Sequence, residues 1–104
     1  MKQFTTPEQT AKLIELGFEN PKMAAPALKW VDGEPTFELQ YTIGELIEML
    51  PPIIDEYSSV VVSGGGTWSV HYKRIFESRY DVFAKELIDA LYGMIIKLKE
   101  KGVI

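Results

Sequence analysis

His71 is the only histidine in the chain and the side chain best placed to move a proton near neutral pH. It lies in Thr67-Trp68-Ser69-Val70-His71-Tyr72, a stretch that alternates with the period of a β-strand. Ser69, His71 and Lys73 share one face, and Trp68, Val70 and Tyr72 share the other. A hydrolytic site needs a nucleophile, a base and a carboxylate that orients the base. Ser58, Ser59, Ser63 and Ser69 lie nearby in sequence, but two residues on one strand face are not a triad, and the spacing indicates no third member. The expectation is that the chain is not an enzyme. One histidine, no cysteine and scattered carboxylates do not make a ligand set either, so no metal and no cofactor are expected.

Asp55 and Glu56 are adjacent carboxylates. In an extended segment neighbours point apart, which argues for a solvated loop over a shared site. Lys73, Arg74 and Arg79, interleaved with Tyr72, Phe76 and Tyr80, are the nearest approach to a nucleic-acid footprint, in which cations meet phosphate and rings stack on bases. The charge balance opposes that reading. The chain carries a net −4. Residues 1–56 hold four Lys against ten Asp/Glu, and residues 57–104 hold seven Lys/Arg against five Asp/Glu. Neither half has the strongly basic face of a general nucleic-acid binder. Trp30 and Trp68 are candidate interface residues, since tryptophan is enriched at binding hot spots; the alternation with Val70 and Tyr72 places Trp68 in the core. The candidate binding residues are therefore Trp30, Ser69, His71, Lys73, Arg74 and Arg79.

These residues must be held by a strand pair that organises the whole chain, Tyr57 to Tyr72. Val60, Val61 and Val62 are β-branched and favour extended backbone; their unbroken run suggests cover on both sides. Gly64, Gly65 and Gly66 interrupt them. Glycines can also cradle phosphate, but such loops lead into a helix. Here a strand pattern follows, so the triple glycine reads as a hairpin turn.

The flanking segments read as three helices, about 7–16, 43–50 and 85–101. Thr6-Pro7-Glu8-Gln9 carries a cap, a proline suited to the first helical position and a capping box; Gly17 ends that helix. Residues 19–26, with Pro21 and Pro26, read as loop. Short strands near 28–40 are joined at Asp32-Gly33. Thr42-Ile43-Gly44-Glu45 opens the second helix with another capping box, followed by a stripe of Ile43, Leu46, Ile47 and Leu50; Pro51-Pro52 stops it. Gly44 in its first turn suggests close packing beneath the helix. The last helix carries Leu87, Ile88, Leu91, Ile95 and Leu98, with Tyr92 and Met94 at the margins, and Gly102 ends it. Residues 79–83, after a turn around Glu77-Ser78, are either a third strand or an early start to the last helix.

The fold class expected is α+β, a small antiparallel sheet packed against three helices. At 104 residues it is one domain. No apolar run approaches a membrane span, and the first residues lack the apolar core of a signal peptide, so the cytoplasm is the expected compartment. The segments TPEQTAKLIELGF, YTIGELIEMLPP, TWSVHY and ELIDALYGMIIKLKEKG together resemble a group of small proteins from gut-associated Bacteroidetes and their phages or mobile elements. Its members share a capped first helix ending near LGF, a helix closing on Leu-Pro, a strand tryptophan and a C-terminal helix. Between Tyr72 and Val82 this chain departs from the group, whose sequences often read as a longer hairpin there. The shared motifs are structural, and the resemblance implies a fold and no activity. The expected role is a non-enzymatic accessory or protein-interaction module that binds another protein or itself, with a nucleic-acid-contacting regulator using residues 72–80 as the alternative and a small enzyme centred on His71 as the third reading.

Overall fold

Two capping boxes set the starts of the first two helices. In the computed structural model of the chain, helix α1 (Pro7–Glu15) begins with Thr6 Oγ1 accepting from the Gln9 amide at 3.1 Å and Gln9 Oε1 accepting from the Thr6 amide at 2.9 Å. Helix α2 (Ile43–Met49) repeats the arrangement with Thr42 and Glu45. Helix α3 (Leu87–Glu100) starts without a side-chain cap and ends at Gly102, which turns back in the left-handed region. The structure describes residues 2–31 and 33–104, and for residues 23–31 and 34–38 the backbone path alone. Among the described residues no helix is long and apolar enough to cross a membrane.

Strands β1 (Met23–Val31) and β2 (Glu34–Gln40) pair as an antiparallel sheet of their own. The loop expected over residues 19–26 therefore ends sooner, at Met23. Pro26 is tolerated because it falls within an irregularity of the ladder between Ala24 and Leu28, where its missing N–H is not needed.

The second sheet is four-stranded and antiparallel, in the order β3 (Ile53–Ile54), β4 (Tyr57–Gly64), β5 (Thr67–Arg74), β6 (Glu77–Ala84). The hairpin between β4 and β5 turns through Gly65 and Gly66, at φ of 60° and 77°, the geometry of a two-residue turn that needs positive φ twice. Residues 79–83 belong to a strand, β6, and not to the last helix. The turn before β6 is Ile75-Phe76, not Glu77-Ser78, which pairs with β5. Asp55 and Glu56 form the exposed turn between β3 and β4, both at positive φ: they are the solvated loop expected, although not in extended chain.

Helix α3 lies on the inner face of β5 and β6, and α2 packs on α3. The buried core joins Val70, Tyr72 and Tyr80 from the sheet to Leu46 from α2 and Ile88, Leu91, Ile95 and Leu98 from α3. Met94 is fully buried among them, not marginal. Ile47, read as part of the α2 stripe, is half exposed because α2 meets its neighbours along Leu46 and Leu50. Tyr72 and Tyr80 meet edge to face at 6.3 Å. The Tyr72 hydroxyl donates to the Pro51 carbonyl at 2.7 Å, and burial pushes its pKa up to about 12.

The valine run differs from expectation. Val60, Val61 and Val62 are 37%, 44% and 44% exposed. Pairing with β3 stops at Ser59, whose amide donates to the Pro52 carbonyl. Pro52 has no N–H to return the bond, and the chain leaves the sheet there. β4 therefore runs on past Ser59 as an edge strand, and its valines are covered only in part.

Candidate functional site

Register in the second sheet decides which side chains meet. On the outer face, opposite α3, His71 of β5 lies between Val60 of β4 and Asp81 of β6, and Ser69 lies between Val62 and Phe83. His71 Nδ1 is 2.5 Å from Asp81 Oδ1, and His71 Nε2 is 2.8 Å from Ser69 Oγ. Ser78, brought round by an irregularity opposite Tyr72 and Lys73, donates its hydroxyl to the same Asp81 oxygen. That bond, reinforced by His71, holds the Asp81 carboxyl below the usual carboxylate range. The Phe83 ring stands edge-on to the imidazole at 5.5 Å.

The reading of Ser69, His71 and Lys73 as a wet face is thus corrected for two of the three. Ser69 and His71 are each 7% exposed; Lys73 is exposed. The cause is their place on an interior strand: Val60, Val62, Asp81 and Phe83 stand on both flanks and close over them. Ser69, His71 and Asp81 have the connectivity of a hydrolytic triad. Attack on a substrate further requires a nucleophile open to it and donors where an oxyanion would form. The Ser69 hydroxyl lies in the floor of the sheet between apolar side chains. Both ring nitrogens of His71 have a partner, Asp81 on one side and Ser69 on the other, so the three form a fully partnered polar row, as a buried imidazole requires.

The basic residues are arranged differently. Arg74 pairs with Glu77 at 3.0 Å and Glu56 at 3.4 Å, and Arg79 with Asp55 at 3.3 Å. Both guanidinium groups lie over the Tyr57 ring, whose hydroxyl donates to Glu77 at 2.8 Å. The hydrogen bonds from Tyr57 and Arg74 lower the Glu77 pKa. Tyr72 and Tyr80 are buried in the core and offer no face for a base. Of the aromatics in 72–80 only Phe76, at the turn, is exposed. The cations of this segment that neighbour carboxylates are already engaged by them, which leaves little of the footprint a nucleic acid needs. Trp30 keeps its backbone place opposite Pro35; its side chain lies outside the described residues. Trp68 is partly buried against the core, as its alternation implied.

Two features lay beyond the sequence reading. One is Asp81, whose place opposite His71 follows only once 79–83 is known to be a strand in this register. The other is the contrast between the sheet's two edges. β6 carries Glu77, Arg79 and Asp81 and an irregular register, devices that discourage edge pairing. β4 carries none: from Tyr57 to Tyr72 there is no Asp, Glu, Lys or Arg. Absence of charge was visible in the letters, but not that β4 would stand at an edge.

A concave site lies elsewhere, a cavity of about 250 Å³ between the segment that follows α1 and helix α2, lined by residues that include Phe18, Glu19, Tyr41, Glu45 and Met49. Its polar groups serve the fold: the Tyr41 hydroxyl donates to the Glu19 carbonyl at 2.5 Å and Glu45 caps α2. Among the described residues no group of His, Cys, Asp and Glu could hold a metal ion. No protein-family model, curated protein or solved structure matches the chain.

Proposed function

We propose that this chain is a non-enzymatic protein-interaction module that binds through the outer face and open edge of its second sheet. The observation that carries the reading is the unguarded β4 edge, uncharged and rich in exposed valine, beside a β6 edge guarded by charge. Val60 and Val62 continue across the outer face to Phe83, which is 66% exposed. An apolar strip ending in open main-chain donors and acceptors fits an added strand, which supplies hydrogen bonds along its backbone and side chains to the flanking face. The hydrogen-bonded Ser69-His71-Asp81 row, buried at Ser69 and His71, gives that face a polar floor.

The test is capture of binding proteins by the tagged chain compared with a Val60→Thr/Phe83→Ser variant. Both side chains are exposed and both replacements suit a strand, so the fold persists by circular dichroism. The expected result is a protein set retained by the wild type and lost by the variant. Identical sets from both would remove the outer face from consideration.

A further inference from the structure

We infer that Ser69 is a proton-controlled switch, whose hydroxyl donates to His71 while the ring is neutral and turns to the Val62 carbonyl when the ring is charged. The device lies within one chain and stands whether or not the outer face binds a partner. Two groups near the Ser69 hydroxyl can accept from it. His71 Nε2 lies at 2.8 Å, and the carbonyl of Val62, directly across the ladder between β4 and β5, lies at 3.5 Å. A hydroxyl carries one hydrogen, so it serves one acceptor at a time.

The charge of His71 makes the choice, and Asp81 decides which ring nitrogen titrates. Hydrogen bonds from Ser78 and His71 hold the Asp81 carboxyl below its ordinary range, so at neutral pH it is ionised and only accepts. The nitrogen that faces it, Nδ1 at 2.5 Å, therefore carries hydrogen in both charge states of the ring. Nε2 is left to gain or lose the titrating proton. In the neutral ring it offers a lone pair, and Ser69 donates to it. Once it takes a proton from solvent it becomes a donor itself. Ser69 Oγ then accepts, and the hydroxyl hydrogen must leave that line. Ser69 is only 7% exposed, and the acceptor within reach is the Val62 carbonyl. A separation of 3.5 Å is long for a bond from a hydroxyl, and it shortens when the hydrogen commits to it.

The surroundings suit a ring that changes charge in place. From β6 it meets the Asp81 carboxylate, which pairs the buried cation, and the edge-on ring of Phe83 at 5.5 Å. Lys97 of α3 donates to the Asp81 carbonyl at 3.1 Å, and its charge also acts on the Asp81 carboxyl. From β4, Val60 and Val62 stand opposite His71 and Ser69 and bring no titratable group. On β5 itself Lys73 follows on the same face and is exposed. The turn of one hydroxyl thus reports the charge of an interior imidazole to the strand that borders the sheet, with the fold unchanged.

The test is nuclear magnetic resonance of the isotope-labelled whole chain, from mildly alkaline to mildly acidic pH, following the imidazole nitrogens and the Val62 carbonyl carbon. Nε2 is expected to pass from the shift range of a bare nitrogen to that of a protonated one, while Nδ1 keeps the protonated range throughout. The Val62 carbonyl is expected to shift with the same midpoint. In Ser69→Ala the ring still titrates and the Val62 response is lost. Ser69→Thr restores a hydroxyl on a side chain suited to a strand and recovers the response. Titration at Nδ1 overturns the switch, as does a Val62 carbonyl that ignores the ring or a ring that takes up no proton before the chain unfolds. These three outcomes are read on the wild type, so a variant that fails to fold does not shield the inference. A Val62 response that persists in folded Ser69→Ala overturns it as well, since the charge then acts on the carbonyl through space and not through the hydroxyl.

Discussion

Ser69 is the residue on which the non-enzymatic reading turns. Its hydroxyl touches an imidazole that touches a carboxylate, the order of groups that activates serine in hydrolases. Connectivity alone does not make a nucleophile. At 7% exposure Ser69 is screened by its neighbours, and the hydrogen bonds account for every member of the row. A fluorophosphonate probe, which reacts with activated serines, is therefore expected to leave the folded chain unlabelled at concentrations that saturate a serine hydrolase. Labelling that maps to Ser69 and disappears in Ser69→Ala would falsify the proposed absence of enzymatic activity. The sequence placed Ser69 and His71 on one face correctly and their exposure wrongly. Alternation tells which residues share a face; whether that face is wet depends on what stands in the neighbouring strands. Asp81, which completes the row, comes from a segment whose letters suit a strand or a helix start equally.

The helix caps and the glycine hairpin turn were the most legible elements, because their signals are local. Thr6 with Gln9, Thr42 with Glu45, Gly17, Gly102 and the Gly65-Gly66 turn all act over a few residues and all took their expected places. Sheet membership is not local. Nothing in residues 23–40 says that β1 and β2 form a separate sheet, or that the valine run stands at an edge. Two helix glycines show the same limit. Gly44 was expected to permit close packing, yet a methyl group there would meet nothing nearer than Thr42 Oγ1 at 3.9 Å. Gly93, in the middle of α3, is the closely packed one: a methyl group would lie 2.9 Å from Val82 Cγ1, on a β-branched side chain with little freedom to turn away. Opposite signs follow. Gly44→Ala is expected to raise the thermal midpoint, with a gain of up to about 1 kcal/mol from helix propensity. Gly93→Ala is expected to lower it, since overpacking of about 1–3 kcal/mol outweighs the same propensity gain. Adding Val82→Ala to Gly93→Ala should relieve the clash, so that the pair loses less than the sum of the two single changes. A stabilising Gly93→Ala would show that α3 and β6 are not in tight contact.

At the scale of the whole molecule the fold is extended, about 56 × 32 × 17 Å with a radius of gyration of 15.1 Å, against about 13 Å for a compact chain of this length. Contacts that join distant parts of the sequence therefore carry weight. One set ties the start of the chain to α3. The Lys2 ammonium lies 2.9 Å from Asp89 Oδ1, Gln9 Nε2 donates to the same oxygen at 2.8 Å, and the Lys2 amide donates to Glu86 at 3.0 Å. Gln9, legible as half of a capping box, also reaches a residue eighty positions away, which no local pattern announces. Partial burial works to raise the Asp89 pKa; the hydrogen bonds from Lys2 and Gln9, with the Lys2 charge, overcome it and leave the carboxyl below its ordinary range. A carboxylate whose pKa is lower folded than unfolded adds stability that is present above the unfolded value of about 3.9 and lost as pH falls through the folded one. Lys2 and Asp89 are each about one-third exposed, so solvent screening holds the contribution to about 1 kcal/mol or less. Asp89→Asn should accordingly lower the urea midpoint at neutral pH by a small, measurable amount, and the gap from wild type should close as pH drops below the folded pKa, where Asp89 is as neutral as asparagine. A gap that stays constant from neutral to strongly acidic pH would mean that Asp89 acts through shape and hydrogen bonding alone, and that charge does not hold the start of the chain to its last helix.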